Sequence, residues 1–258
     1  MTAAVKAQRQ VSAARGTGQP HWAGLLARPA LIAASLLALW LWTRGQNLDS
    51  IEARNVNSEV IGSQVLEHVM LTLICTALTI AIAIPLGIAV SLSRSRAGRL
   101  VVLSLGNLGQ AVPSIGLIVL LALVISIGAG TAVIALVAYA VLPVLRNTMV
   151  GIEGVDPVLT EAARGMGLSR LAVLFTVELP LAVPVILAGV RTALVLTVAS
   201  APLAALIDGG GLGEGLFTGL TLNRPVISIT FGVLVAALAL FADWLGLLAE
   251  TFLRPKGI

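Results

Sequence analysis

Residues Glu161–Pro180 read EAARGMGLSRLAVLFTVELP and separate two long apolar stretches, Thr131–Val150 and Leu181–Leu206. Each flanking stretch has about the 20 residues needed to cross a hydrocarbon core. The stretch between them carries Glu161, Arg164, Arg170 and Glu178 and so belongs at or outside the membrane face. Just upstream, Asp156 is suited to cap a helix N-terminus and Pro157 to take its first position. Leu159, Ala162, Ala163 and Met166 recur at helical spacing and form a small apolar face. Gly165 and Gly167 are expected to end the helix, because glycine readily adopts the left-handed cap. A short, capped helix with small residues suits insertion into a groove on a partner protein. By periodicity alone, an amphipathic helix lying at the headgroups is the readier reading.

Working outward, the 258 residues are 58% hydrophobic and only 11% charged, with a mean hydropathy of +1.02. Soluble domains carry about 25% charge, so this composition belongs to an integral membrane protein. Six apolar segments are expected to span: Leu25–Thr43, Leu66–Leu92, Leu100–Ile127, Thr131–Val150, Leu181–Leu206 and Val226–Phe252. No backbone polar group can stay unpaired in lipid, which makes the expected fold all-α, a polytopic helical bundle. Strands with the ten-residue alternation of a membrane barrel are lacking. The third segment is expected to break at Pro113, after Asn107 and Gln110. The division expected is a disordered cytoplasmic tail over 1–24, a first transmembrane anchor with its outer loop over 25–65, a transmembrane domain over 66–252 with a cytoplasmic loop at 151–180, and a short tail over 253–258. The first segment has the basic start of a signal peptide, but Thr43-Arg44-Gly45-Gln46 offers no small-residue cleavage pattern, which favours a retained anchor.

Arginine and lysine orient the bundle. One side holds Lys6, Arg9, Arg15, Arg28, Arg94, Arg96, Arg99, Arg146, Arg164, Arg170, Arg254 and Lys256; the other holds Arg44, Arg54 and Arg224. The positive-inside rule puts the first group, both termini and the 151–180 loop in the cytoplasm. The formal net charge of +4 is accounted for by this membrane-flanking placement, with no need of nucleic acid.

Several chemistries are excluded. A phosphate-binding loop ends in Lys-Ser or Lys-Thr, whereas the two lysines, Lys6 and Lys256, precede Ala7 and Gly257. Any ATP hydrolysis therefore belongs to another chain. The run Asp208-Gly209-Gly210-Gly211-Leu212-Gly213 follows a span and is expected as a flexible outer turn rather than a nucleotide loop. One cysteine, Cys75, precludes an internal disulfide, and His21 and His68 have no metal-ligand spacing. Paired carboxylates or a nucleophile with its base are not legible, so no catalytic residue is assigned. Arg191 lies inside a span, where an arginine costs roughly 2.5–3.5 kcal/mol on insertion scales; it is expected to snorkel or to pair within the bundle. Ten aromatic residues, four Trp, five Phe and one Tyr, are too few for an obvious cage around a quaternary ammonium ligand.

The spaced pattern Glu161-Ala162-Ala163, Gly167, Val177, Leu179, Pro180 resembles the EAA loop of ABC-importer permeases, with valine where isoleucine is usual. Flanking motifs resemble the osmoprotectant branch of that family, the glycine betaine, carnitine and choline importers. They are His68–Leu73, Gln110–Gly116, Leu142–Thr148, Gly154–Pro157, Gly189–Ala193 and Leu203–Ile207. The likeness runs from about Leu66 to Leu222. Asp208, where a small residue is expected, and Pro202 depart from the pattern. Methionine, sulfonate and oxyanion permeases share the loop but fit the flanking motifs less well.

The resemblance implies a binding-protein-dependent type I importer in a bacterial cytoplasmic (inner) membrane. Two permease chains, identical or sister, would form the pathway; two ATPase subunits would hold ATP and Mg and drive it; a solute-binding protein would deliver ligand. The chain itself would be a transport subunit with no cofactor. Asp156, Glu161, Ala162, Ala163 and Gly167 would couple to the ATPase, and Val177, Leu179 and Pro180 would return the loop to the membrane. Asn107, Gln110, Pro113, Ser114, Tyr139 and Arg191 are candidates for the pathway, with interhelical bonding an equal reading for Asn107 and Gln110. Asp208, Gly209, Gly210, Gly211 and Gly213 would meet the binding protein or form an outer gate. A permease for another small solute, and an ion-coupled carrier or channel, are the competing functions.

Overall fold

The computed structural model describes residues 22–93 and 95–253. The tail expected at 1–24 lies outside them except at its end, where the first helix already begins at Trp22; residues 254–258 also lie outside. In chain order the helices are α1 (Trp22–Arg44), α2 (Ser50–Asn55), α3 (Ser58–Leu92), α4 (Arg96–Ala111), α5 (Ser114–Val124), α6 (Ala129–Glu153), α7 (Pro157–Gly165), α8 (Arg170–Val173), α9 (Leu179–Ser200), α10 (Leu212–Thr221) and α11 (Pro225–Phe252). A π-turn, Leu174–Glu178, leads into α9, and a 3-10 segment, Ala201–Ile207, continues it. Among the described residues, five helical stretches are long and apolar enough to cross a membrane: Leu25–Arg44, Ser58–Leu92, Ala129–Glu153, Arg170–Ile207 and Pro225–Phe252.

The third expected span is not a single kinked helix. α4 and α5 meet at 101°. The cause is local: Pro113 disfavours helical backbone at Val112, which sits extended at ψ 132°, and Pro113 then starts α5 with no side-chain cap. The bent pair counts as a sixth span only if both arms are taken together.

The centre of the bundle is α6, packed on α3 and α9. Ala83, Ala140, Leu142, Val144, Leu145, Met149 and Ala193 make one buried cluster there; Leu71, Cys75, Ile118, Ala132, Ala135 and Leu136 make another. Lipid supplies no hydrophobic drive between helices, so close approach of small residues has to hold them. A Cβ on Gly189 would sit 2.6 Å from Asn147 Cβ and 2.9 Å from the Pro143 carbonyl oxygen. α9 and α6 are therefore in contact nearly backbone to backbone.

Prolines inside helices remove the N–H that would pair with the carbonyl four residues earlier. In three places another helix supplies the donor. Pro29 frees the Leu25 carbonyl, which accepts from Trp244 Nε1 of α11 at 3.0 Å. Pro143 frees the Tyr139 carbonyl, which accepts from Gln110 Nε2 of α4 at 3.3 Å. Pro202 frees the Val198 carbonyl, which lies 3.1 Å from His68 Nε2 of α3.

At the α3 N-terminal end, Asp49 closes a capping box on α2 and forms an ion pair with Arg224. The Glu52 N–H, above all, holds the Asp49 carboxyl below the usual carboxylate range, against a smaller opposing desolvation, with the Ile51 N–H and Arg224 adding to the lowering.

Gly189→Ala is expected to destabilise the detergent-solubilised protein by about 1–3 kcal/mol, because the added methyl meets backbone. Gly62→Ala, with nothing within 4 Å of the new Cβ, should be neutral or stabilising by up to about 1 kcal/mol. Paired thermal melts of the two variants check this; equal shifts would remove the close-contact account of the α6–α9 interface.

Candidate coupling surface and charged seam

The 151–180 loop folds as the residues dictate. Asp156 caps α7 through its Oδ1, which accepts the Val158 N–H at 2.9 Å, and Pro157 opens the helix. The far end closes with two backbone bonds, Gly167 N–H to Arg164 O at 2.9 Å and Leu168 N–H to Ala163 O at 3.2 Å. That pair is a Schellman cap, and it needs the residue after the C-cap in the left-handed region; Gly167 has φ +89°. Nothing lies within 4 Å of a Cβ built there, so backbone conformation, not crowding, selects glycine.

The outer face of this loop carries exposed apolar side chains among its charged ones. Val158 is 67% exposed and Met166 76%, with Leu159, Leu171 and Phe175 also open. Glu161 and Ala162 lie on this exposed side. Ala163 does not: at 3% exposure it is the residue that seats α7 on the body of the protein, so its expected contact with a partner is corrected to an internal one. Arg170 ties the loop to the end of α3, its Nη2 donating to the Leu92 carbonyl at 2.6 Å, where a cation also suits the helix C-terminus. Val177 lies in the π-turn, and Leu179 and Pro180 are the first residues of α9, where the chain re-enters the bundle.

The candidate pathway residues fall into two groups. Asn107 and Gln110 lie on the α4 face that meets α6. Arg146 donates to Asn107 Oδ1, and Gln110 serves the Tyr139 carbonyl. On the same helix, Arg99 makes a two-pronged pair with Glu153 at 2.7 and 2.9 Å. Both polar residues thus join helices, while Pro113 and Ser114 form the bend. Arg191 stands apart from them on α9. Its Nε donates to Asp243 Oδ1 at 2.6 Å and its Nη1 to Glu250 Oε2 at 3.2 Å. Asp243 also pairs with Arg28 of α1 at 3.3 Å. Asp243, on α11, thus pairs with both α1 and α9, a role not legible in the sequence because its two partners lie far from it along the chain. Gly246 makes the room: a Cβ there would lie 2.6 Å from Arg191 Cγ.

The glycine turn after α9 is not the loose loop expected. Asp208 takes a left-handed conformation, φ 54°, and Gly210 and Gly211 follow at φ 76° and 82°. Gly209 N–H bonds the Ala204 carbonyl at 2.9 Å. Gly213 packs on the Pro202 backbone and Gly215 on the Phe231 ring. Missing side chains let the turn and α10 pack against their neighbours, so the same glycines that suggested looseness make the segment close-fitting.

These features define a polytopic helical membrane protein with a capped, outward-facing loop helix and an internally neutralised charge seam. The chain belongs to the family described as binding-protein-dependent transport system inner membrane component, which it matches over residues 83–254; it is a permease of ABC-importer type. It is 38% identical over 192 residues to the glycine betaine/carnitine/choline transport system permease protein OpuCB of Bacillus subtilis, covering 74% of this chain and 88% of that one. It is 35% identical over 210 residues to the osmoprotectant import permease protein OsmY of Salmonella typhimurium, covering 81% and 87%. Among solved structures, it superposes on the MetNI methionine ABC transporter with a TM-score of 0.66 at 20% identity, over 76% of this chain and 96% of that one. An amino acid ABC transporter superposes with a TM-score of 0.66 at 18% identity, over 80% and 100%.

Asp243→Asn is expected to lower stability by about 1–3 kcal/mol, since it weakens charge-assisted bonds to two arginines at once. Thermal unfolding checks this, and a melting point unchanged from wild type would mean the seam is solvated rather than structural.

Proposed function

We propose that this chain forms the translocation pathway of an ATP-driven importer for a quaternary-ammonium osmoprotectant such as glycine betaine, carnitine or choline. One relative named for those solutes and another named for osmoprotectant import support the substrate class. The observation that carries the coupling half is the outward apolar face of α7, held by Asp156 at one end and the Gly167 cap at the other. An exposed Val158, Leu159 and Met166 beside Glu161 and Arg164 is a surface made for a protein groove. In this reading an ATPase subunit, carrying ATP and Mg, docks there from the cytoplasm, where both termini of the permease also lie.

ATP binding draws two such ATPases together, and α7 transmits the displacement. Its rigidity matters for this. The loop is tied to α6 through Gly154, to α3 through Arg170 and to α9 through the π-turn, so a push on α7 moves packed helices rather than a slack loop. Alternation between two packed states then follows from differential binding of ATP to each. A second permease chain, a copy or a sister, completes the pathway, and a solute-binding protein delivers the ligand. The sparse aromatic content of this chain puts most of the selectivity on that binding protein.

The test is uptake of labelled glycine betaine, carnitine and choline by the complex purified from its native membrane, with co-purifying chains identified by mass spectrometry. Recovery of an ATPase and a binding protein with ATP-dependent uptake is the expected result; ATP-independent uptake by this chain alone would replace the importer with a carrier. Gly167→Asp should insert normally yet reduce ATP-driven uptake about tenfold or more, because it strains the left-handed cap and puts a charge on the docking face. Undiminished uptake in that variant would remove α7 from the coupling role.

A further inference from the structure

His68 has no place in the function described so far, yet it is fully buried. Its ring makes one hydrogen bond, Nε2 to the Val198 carbonyl at 3.1 Å, and Nδ1 has no partner among the described residues. A carbonyl can only accept, so Nε2 carries the proton in this bond. The Val198 carbonyl needs this donor because residue 202, four positions on, is Pro202 and has no N–H. His68 therefore completes a helix that the sequence of α9 leaves incomplete.

The neighbours of His68 on α3 act on the same segment. Gln64 Oε1 accepts the Gly215 N–H at 3.1 Å, and Glu67 Oε2 accepts the Gly211 N–H at 3.0 Å. Residues 64, 67 and 68 are spaced i, i+3, i+4 and share one helix face. Three side chains of one turn thus hold three backbone groups spread over Val198–Gly215. What they hold is built as a hinge: a 3-10 stretch, Ala201–Ile207, then the left-handed Asp208, Gly210 and Gly211. Short 3-10 runs within helices mark hinges, and a non-glycine left-handed residue carries strain.

We propose that Gln64, Glu67 and His68 are a releasable clasp on the Val198–Gly215 segment, and that its release opens the end of the pathway opposite α7. The clasp rests on the importer reading for its role in transport, but not for its existence. Every bond in it is a side chain of α3 to a backbone group of the segment, so the segment can leave α3 without either helix unfolding. His68 and Pro202 form a complementary pair: a helix with an N–H at 202 would not need the imidazole, and one with proline there does. These are positioning residues; nothing in the proposal has them touch the solute.

The experiment uses the permease–ATPase complex in nanodiscs and reads two signals: hydrogen exchange in peptides spanning 198–216, and ATP hydrolysis without the binding protein. His68→Leu should raise exchange there about tenfold, the value of one lost hydrogen bond, and raise unstimulated hydrolysis severalfold. His68→Gln, which keeps an amide donor, should stay near wild type. Adding Pro202→Ala to His68→Leu should restore both signals, because the new N–H can reach the Val198 carbonyl. Glu67→Ala, on the exposed side of the helix, gives the same test if His68→Leu fails to insert, with Glu67→Gln as its conservative control. Unchanged exchange in His68→Leu or in Glu67→Ala would overturn the clasp. Raised exchange with unchanged hydrolysis would overturn its gating role. A wild-type complex that hydrolyses no ATP would refute the importer reading, while the exchange measurement still decides whether the clasp exists.

Discussion

In a hydrocarbon surround, every backbone N–H and C=O must find a partner inside the protein, and the architecture of this chain follows from that demand. It is met trivially along uninterrupted helices such as most of α3 and α11. It is met at a cost wherever proline occurs. Pro29, Pro143 and Pro202 each strip a donor from a carbonyl one turn back, and Trp244, Gln110 and His68 replace it from another helix. A vacancy in one helix thus fixes the position of a second. α1 is held against α11, α4 against α6, and the end of α9 against α3 by the same local rule.

Charge is handled in the same way. Arg191 would be costly alone in a span. It is matched by Asp243 and Glu250, and Asp243 in turn takes Arg28. Two bases and two acids leave the seam formally neutral, so it can lie within apolar helices while joining three of them. Small residues complete the arrangement: Gly189, Gly87 and Gly151 bring α6 into close contact with α9 and α3. Together these contacts pack α3, α6 and α9 into one core.

The 151–180 loop was the most legible part of the sequence, because its determinants are local. Asp156, Pro157 and Gly167 specify a start and a stop that depend on backbone geometry within one or two turns. The exception is Ala163: periodicity put it on the helix's apolar face, but only the packing of α7 on the body decides which part of that face is covered. The glycine run at 209–215 misled for a related reason. Glycine reads as freedom in one dimension, whereas here the missing Cβ atoms allow Gly213 to meet Pro202 and Gly215 to meet Phe231.

Composition and spacing alone determined that the chain is a membrane-embedded helical bundle, where its long spans lie, that the third breaks at Pro113, and that a capped helix stands outside the apolar segments. These properties depend on residues within a few turns of one another, and hydropathy, proline and glycine report on that range directly. The tertiary structure alone decided the partners of Arg191 and the union of His68 with Val198 across 130 positions. Such contacts depend on which helices become neighbours. No local pattern encodes that choice, because each pairing satisfies a vacancy created elsewhere in the chain.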